Sequence, residues 1–157
     1  PRVFPHKKFV GAPFEDRLAL LAVALSGSPH FAMASSDEGL FIEIARSFRE
    51  ACASSVELFL LCGRDAAQRI AEWDYGEGPE FASQVEEFQL LVGSRQGVYR
   101  PPQEYRGRIH LIDLPTSLDQ VSSSALRQAI EEGRAWKQFV PQAVAREIVA
   151  RGLYGAR

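Results

Sequence analysis

The chain has 157 residues, 46% hydrophobic and 24% charged, with a formal net charge of −2. That length suits a single domain, 1–157, with a core of its own, and the balance is that of an ordinary soluble protein. The slight negative charge gives no argument for electrostatic capture of a nucleic-acid backbone, so any phosphate site must be local. No apolar run is long enough to span a bilayer, and the opening residues do not read as a secretory signal. Cys52 and Cys62 have no metal-ligand spacing. Cys62 lies in an apolar run and reads as a buried, reduced thiol, which fits a reducing, cytoplasmic setting. The opening Pro1-Arg2-Val3-Phe4-Pro5 lacks an initiator methionine, as expected of a processed, truncated or excised piece.

Residues 14–26 predict a helix, with Leu18, Leu21 and Leu25 at helical spacing and Gly27 as its stop. His30 to Ala34 is a short strand candidate. Residues 38–53 predict an amphipathic helix, with Ile42, Ala45, Phe48 and Arg49 separating an apolar from a polar side. Residues 56–62 form a nearly continuous apolar run, as in a strand buried on both faces. Gly63-Arg64-Asp65 ends that strand, residues 66–71 look helical, and Trp73 to Pro79 is a Gly-rich loop. A short helix over 79–87 leads to a strand over 88–92, closed by Gly93. Residues 94–107, with Gly97, Pro101, Pro102 and Gly107, mark an irregular surface loop. A strand over 109–112 follows. A helix over 123–132 is closed by Gly133. The last helix covers 141–150, with proline in its first turn and Gly152 after its end. Strands alternating with helices predict an α/β domain with a mainly parallel sheet.

In such folds ligands bind beyond the carboxyl ends of the strands. Gly63-Arg64-Asp65, the loop after Val92 and the segment after Ile112 all fall at such ends. So does Val121-Ser122-Ser123-Ser124-Ala125-Leu126-Arg127. The first N–H groups of a helix lack internal partners, and its dipole puts partial positive charge there. Ser122 or Ser123 can cap the helix, leaving hydroxyls free to donate to an anion. Arg127, one turn on, can reach back with a forked donor set. The anion this chemistry points to is a nucleotide phosphate. The bland alternative is a serine-capped helix with a solvated arginine. His30 and His110 read as structural, Trp136 and Tyr154 as packing residues, and Arg17 as a surface partner of Asp16 or Glu15.

Taken together, these segments resemble the nicotinate-mononucleotide adenylyltransferase family of nucleotidyltransferases. Leu61-Cys62-Gly63-Arg64-Asp65 with Trp73 resembles its strand–Gly-x-Asp–Trp signature. Val121 to Arg127 resembles its Ile-Ser-Ser-Thr-x-x-Arg motif, with Ser124 in place of threonine. Phe139-Val140-Pro141, Val144, Ile148 and Gly152-Leu153-Tyr154 look like its closing helix. Pro5-His6-Lys7 with Asp16-Arg17-Leu18 resembles its Pro-His-Lys loop and following helix. Two departures stand out. The family's Gly-x-Phe-x-Pro-x-His-x-Gly-His motif is absent from these residues, so the resemblance implies a Rossmann-like nucleotidyltransferase fold incomplete at its N-terminus, without its first strand and helix. Where the family has a glutamate and then Ser-Tyr-Thr before its next helix, this chain has Asp37-Glu38-Gly39-Leu40-Phe41-Ile42.

The resemblance implies transfer of AMP from ATP to nicotinate or nicotinamide mononucleotide, with release of pyrophosphate, in NAD biosynthesis. Ser122, Ser123, Ser124 and Arg127 would hold the ATP phosphates. His6, Lys7, Asp65 and Trp73 would face the acceptor nucleotide, with Trp73 stacking on its pyridine ring. Asp65 can equally be a helix N-cap after Gly63, and Trp73 a loop anchor. Gly76 and Gly78 would let the loop move or approach a ligand closely. Mg²⁺ would accompany ATP, held mainly by phosphate oxygens and water, with no metal site on the protein. With the histidine motif missing, no catalytic residue is assigned and these residues alone are expected to turn over little. The partners implied are small-molecule nucleotides, with no nucleic acid and no membrane. A sheet lacking its first strand would also favour association into a homo-oligomer. The rival readings are an adenylyltransferase or cytidylyltransferase with another phosphorylated acceptor, and a nucleotide-binding remnant without catalysis.

Overall fold

The computed structural model describes residues 1–3, 11–52, 56–94 and 97–157. His6 and Lys7, with the rest of the Pro-His-Lys segment, lie outside the described residues. The described chain falls into two compact units, one built on Ser36–Asp119 and the other on residues 11–35 with Gln120–Arg157.

The first unit is organised by a parallel sheet of three strands, β1 (Phe59–Gly63), β2 (Gln89–Ser94) and β3 (Ile109–Asp113), in the spatial order β1-β2-β3. In register, Gly63 pairs with Gly93 and Ser94 with Asp113, so the carboxyl ends of all three strands finish together. Helices α2 (Phe41–Ala51) and α3 (Arg64–Glu72) bury Ile42, Ala45, Ala67 and Ile70 against Leu90 and Val92 of the central strand. The short helix α4 (Phe81–Gln84) adds Phe81, with Val85 and Phe88 following, to the same core. The Glu43 carboxylate accepts from the Leu40 N–H at 3.1 Å and so satisfies one orphan donor at the start of α2. Farther along α2, Arg46 forms a forked pair with Glu87, and Arg49 in the last turn donates to the Glu87 carbonyl. These bonds tie α2 to the chain entering β2.

Two expectations need correction here. Residues 30–34 form no strand: Phe31 is 67% exposed and Met33 46% exposed, and no ladder reaches them. An apolar residue alternating with small ones is not enough without a neighbouring strand to supply hydrogen bonds. The second correction concerns β1, which is open on one side instead of buried on both. Leu61 is 68% exposed, because α2 and α3 pack on the face that carries Leu60 and Cys62. The open face carries Phe59, tilted against His110, whose Nε2 contacts Gln89, which in turn donates to Glu57. Cys62 is a free thiol, half-buried, and burial pushes its pKa up to about 11.

In the second unit, α1 (Phe14–Leu25) packs on α6 (Gln142–Ala150), and α5 (Ser123–Glu131) closes a core of Ala129, Ile130, Trp136, Val144, Ala145 and Ile148. Trp136 and Tyr154 are packing residues, as expected. α5 ends as its sequence predicts, with Gly133 at φ +65; the Gly133 N–H donates to Ile130 and the Arg134 N–H to Ala129, satisfying the last carbonyls. Asp16 pairs with Arg151, which also bonds Glu147 one turn earlier on α6. The Arg17 guanidinium lies over the Phe14 ring at 5.2 Å.

Candidate functional site

In the first unit, β1 runs straight into α3. Gly63 is the last strand residue and also the N-cap, with extended backbone and no side-chain cap. α3 therefore starts at Arg64, earlier than the sequence suggests. Asp65 is not the cap but the second helical residue, where its charge still complements the helix dipole. Its carboxylate is largely exposed and accepts from Arg64 Nε at 3.3 Å.

Trp73 terminates the same helix. It is the C-cap, in extended conformation, and its indole is 40% exposed. Asp65 and Trp73 thus stand at opposite ends of α3. Eight residues at the helical rise separate them by about 12 Å along the axis and about 80° around it. A ligand touching both must be elongated, as a nucleotide is.

Beside α3 lies a cleft of about 350 Å³, formed by Arg64, Asp65, Gln68, Ala71 and Glu72 on one helix face, with residues 98–100 and Pro102 opposite. Arg64 leans toward Gly97: a Cβ there would sit 3.2 Å from its Nη1, and φ is +114. Tyr99 is 6% exposed, and burial pushes its phenol up. Asp65 lines this cleft, while Trp73 follows Glu72 at its end. Sequence reading missed Tyr99 and Arg100, which sit in a segment read only as an irregular loop. Their place opposite α3 is a tertiary fact that no local periodicity carries.

In the second unit, Ser122 settles the choice of cap. Its backbone is extended, and its Oγ accepts from the Ala125 N–H at 3.0 Å. Ser123 and Ser124 follow as exposed residues in the first turn. Arg127, half-buried, turns back toward that turn, with Nη2 3.4 Å from Ser124 Oγ. Two hydroxyls, the uncapped first amides and a guanidinium thus gather at one helix end. Such a set of donors is chemically suited to an anion of several oxygens.

Among the described residues no three His, Cys, Asp or Glu side chains gather to hold a metal ion, and no helix is long and apolar enough to cross a membrane.

A parallel sheet with its carboxyl edge aligned, followed directly by a helix, is an α/β architecture whose ligands bind at that edge. Known structures sharpen this. The chain superposes on Plasmodium falciparum nicotinic acid mononucleotide adenylyltransferase complexed with NaAD, with a TM-score of 0.68 and 16% identity, covering 99% of this chain and 80% of that one. The same enzyme complexed with APC gives 0.66 over 93% of this chain and 78% of that one, again at 16% identity. The fold is therefore the Rossmann-like nucleotidyltransferase fold. In sequence, the chain is 29% identical over 170 residues to a protein of Moorella thermoacetica named "probable nicotinate-nucleotide adenylyltransferase", covering 98% of this chain and 74% of that protein. A protein of the same name from Chromohalobacter salexigens is 28% identical over 173 residues, covering 98% and 78%. No family model matches. Over nearly its full length the chain is thus similar to proteins named nicotinate-nucleotide adenylyltransferase.

Proposed function

We propose that the protein transfers AMP from ATP to nicotinate mononucleotide, releasing pyrophosphate, as a step toward NAD. The carrying observation is that likeness to proteins of this name extends over 98% of the chain. In the reaction a phosphate oxygen of the acceptor attacks the α-phosphorus of ATP. The bond from that phosphorus to the bridging oxygen breaks, and pyrophosphate leaves with the electron pair. Such chemistry asks a protein for alignment and charge stabilisation more than for covalent help.

The residues divide accordingly. Ser123 and Ser124 hydroxyls, the first amides of α5 and Arg127 take the phosphates of ATP, with Ser122 holding the helix end in shape. Charge on the leaving pyrophosphate builds up at that end, where the helix dipole and the guanidinium favour it. Asp65 accepts from hydroxyls of the acceptor nucleotide, and Trp73 offers a flat face to the pyridine ring. His6 and Lys7 bind the acceptor or ATP phosphate. Mg²⁺ arrives with ATP, held mainly by phosphate oxygens and water.

The test is a calorimetric titration of wild type and Arg127→Ala with ATP and with nicotinate mononucleotide. Wild type should bind both, and the variant should lose ATP affinity while keeping that for the mononucleotide. Equal losses for both ligands, or no loss, would overturn the assignment of Arg127 to ATP.

A further inference from the structure

The segment from Trp73 to Pro79 leaves the end of α3 and enters α4 at Glu80. Its course is fixed from both sides by groups that no step of the reaction uses. On the α3 side, the Tyr75 hydroxyl donates to the Ile70 carbonyl at 3.0 Å, occupying one of the acceptors left open in the last turn of the helix. On the α4 side, Gln84 Nε2 donates to the Pro79 carbonyl at 2.7 Å. The two anchors meet, because the Gln84 amide also faces the Tyr75 hydroxyl. Between them the chain makes a tight turn. The Gly78 N–H donates to the Tyr75 carbonyl at 2.9 Å, and the Gly76 N–H to Asp74 Oδ1 at 2.8 Å. Gly76 has φ +58, and a Cβ on Gly78 would stand 3.1 Å from the Tyr75 carbonyl, so both glycines serve this turn.

Gln84 is an unusual residue for its place. It is 1% exposed, between Phe81 and Val85, which are also buried. Its Oε1 has no hydrogen-bond partner among the described residues. A buried amide with an unmet acceptor is poor core filling, and an apolar side chain of the same volume would suit these neighbours better. What the amide supplies, and methionine or leucine cannot, is a donor to the loop carbonyl. Trp73 gains from this. It has already left the helix, with 40% of its surface open to solvent, and a ring that must meet a flat ligand binds better if it is ordered beforehand.

We propose that Gln84 is a positioning residue for the acceptor: with Tyr75 it locks the Trp73–Pro79 loop and so presents the Trp73 indole to the pyridine ring. The proposal rests on the reading of Trp73 as the stacking partner, given above. Gln84 itself touches no ligand and acts through Trp73.

The chain has two tryptophans, and Trp136 is buried in the core of the other unit. A Trp136→Phe background therefore makes the fluorescence report on Trp73 alone. In it, Gln84→Met keeps the volume and removes the donor, while Tyr75→Phe removes the other anchor at a less buried position. Both should raise the acrylamide quenching of Trp73. Both should weaken nicotinate mononucleotide, titrated by calorimetry, by about fivefold, the worth of one ordinary hydrogen bond, and leave ATP affinity unchanged. Tyr75→Phe carries the test if Gln84→Met fails to fold. Unchanged quenching, or equal weakening of ATP and the mononucleotide, would overturn the proposal. Trp73→Ala in the same titration separates the two claims. If it leaves mononucleotide affinity intact while Gln84→Met still raises quenching, the loop lock stands, but the stacking reading falls and Gln84's role toward the acceptor falls with it.

Discussion

Replacing Trp73 by alanine should weaken the acceptor and spare ATP. A tryptophan side chain presents about 250 Å² when free. With 40% of Trp73 exposed, about 100 Å² is open to a ligand. A pyridine ring lying on one face would cover between half and all of that. At about 25 cal/mol per Å² the contact contributes about 1.3 to 2.5 kcal/mol, within the range of about 1–3 kcal/mol for a base stacked on an aromatic side chain. The Kd for nicotinate mononucleotide should therefore rise about tenfold to seventyfold. Trp73→Phe keeps a flat ring and should recover most of that loss. Calorimetric titration with the mononucleotide and, separately, with ATP reads both effects. Equal weakening of the two ligands would refute the reasoning, since it would mean that the indole supports the fold and not the pyridine ring.

Three further outcomes follow from the same structure. Ser122→Ala removes the acceptor for the Ala125 N–H and should cost about 1 kcal/mol, or about 2–4 °C in Tm for a chain of this size; faster hydrogen exchange at the Ala125 amide would locate the loss. Burial raises the Cys62 thiol to about 11, above its unfolded value of about 8.5. The folded state thus favours the protonated form, and the stability this gives is present below about pH 8.5 and lost as pH rises toward 11. Wild type should therefore lose Tm more steeply than Cys62→Ala between pH 8.5 and 10.5, and parallel curves would contradict this. Glu87 is held below the usual carboxylate range, first by its hydrogen bond from Arg46, against the opposing effect of burial, with the Arg46 and Arg49 charges adding to the lowering. A depressed carboxyl stabilises the fold above its unfolded pKa and loses that contribution as pH falls through its folded pKa. The Tm gap between wild type and Glu87→Gln should accordingly be widest near neutral pH and close in acid.

The helix ends were the most legible part of the sequence, because their signals are local. Ser122, Gly133 and Gly152 each do in the structure what their chemistry suggests. The three strands were legible as apolar runs, but their exposure was not, since which face a helix covers is decided by tertiary packing. The start of α3 was missed because its cap is Gly63, which has no side chain to advertise it, and Asp65 drew attention one position too late. His30 to Ala34 misled for the opposite reason: strand-like residues with no strand beside them. Of the candidate site, the serine cluster could be read from its place at a helix start, and the Asp65–Trp73 pair only through the family resemblance. The cleft face of Tyr99 and Arg100 and the amide of Gln84 could not, because their meaning lies in contacts with residues distant in sequence or in burial.

Product formation by the protein expressed from its gene tests the central claim most directly. With ATP and nicotinate mononucleotide supplied together, nicotinate adenine dinucleotide and pyrophosphate should appear in equal amounts, with Arg127→Ala and Trp73→Ala each slowing their release. A protein that binds ATP yet yields no dinucleotide with this acceptor, while consuming ATP with another phosphorylated one, would contradict it.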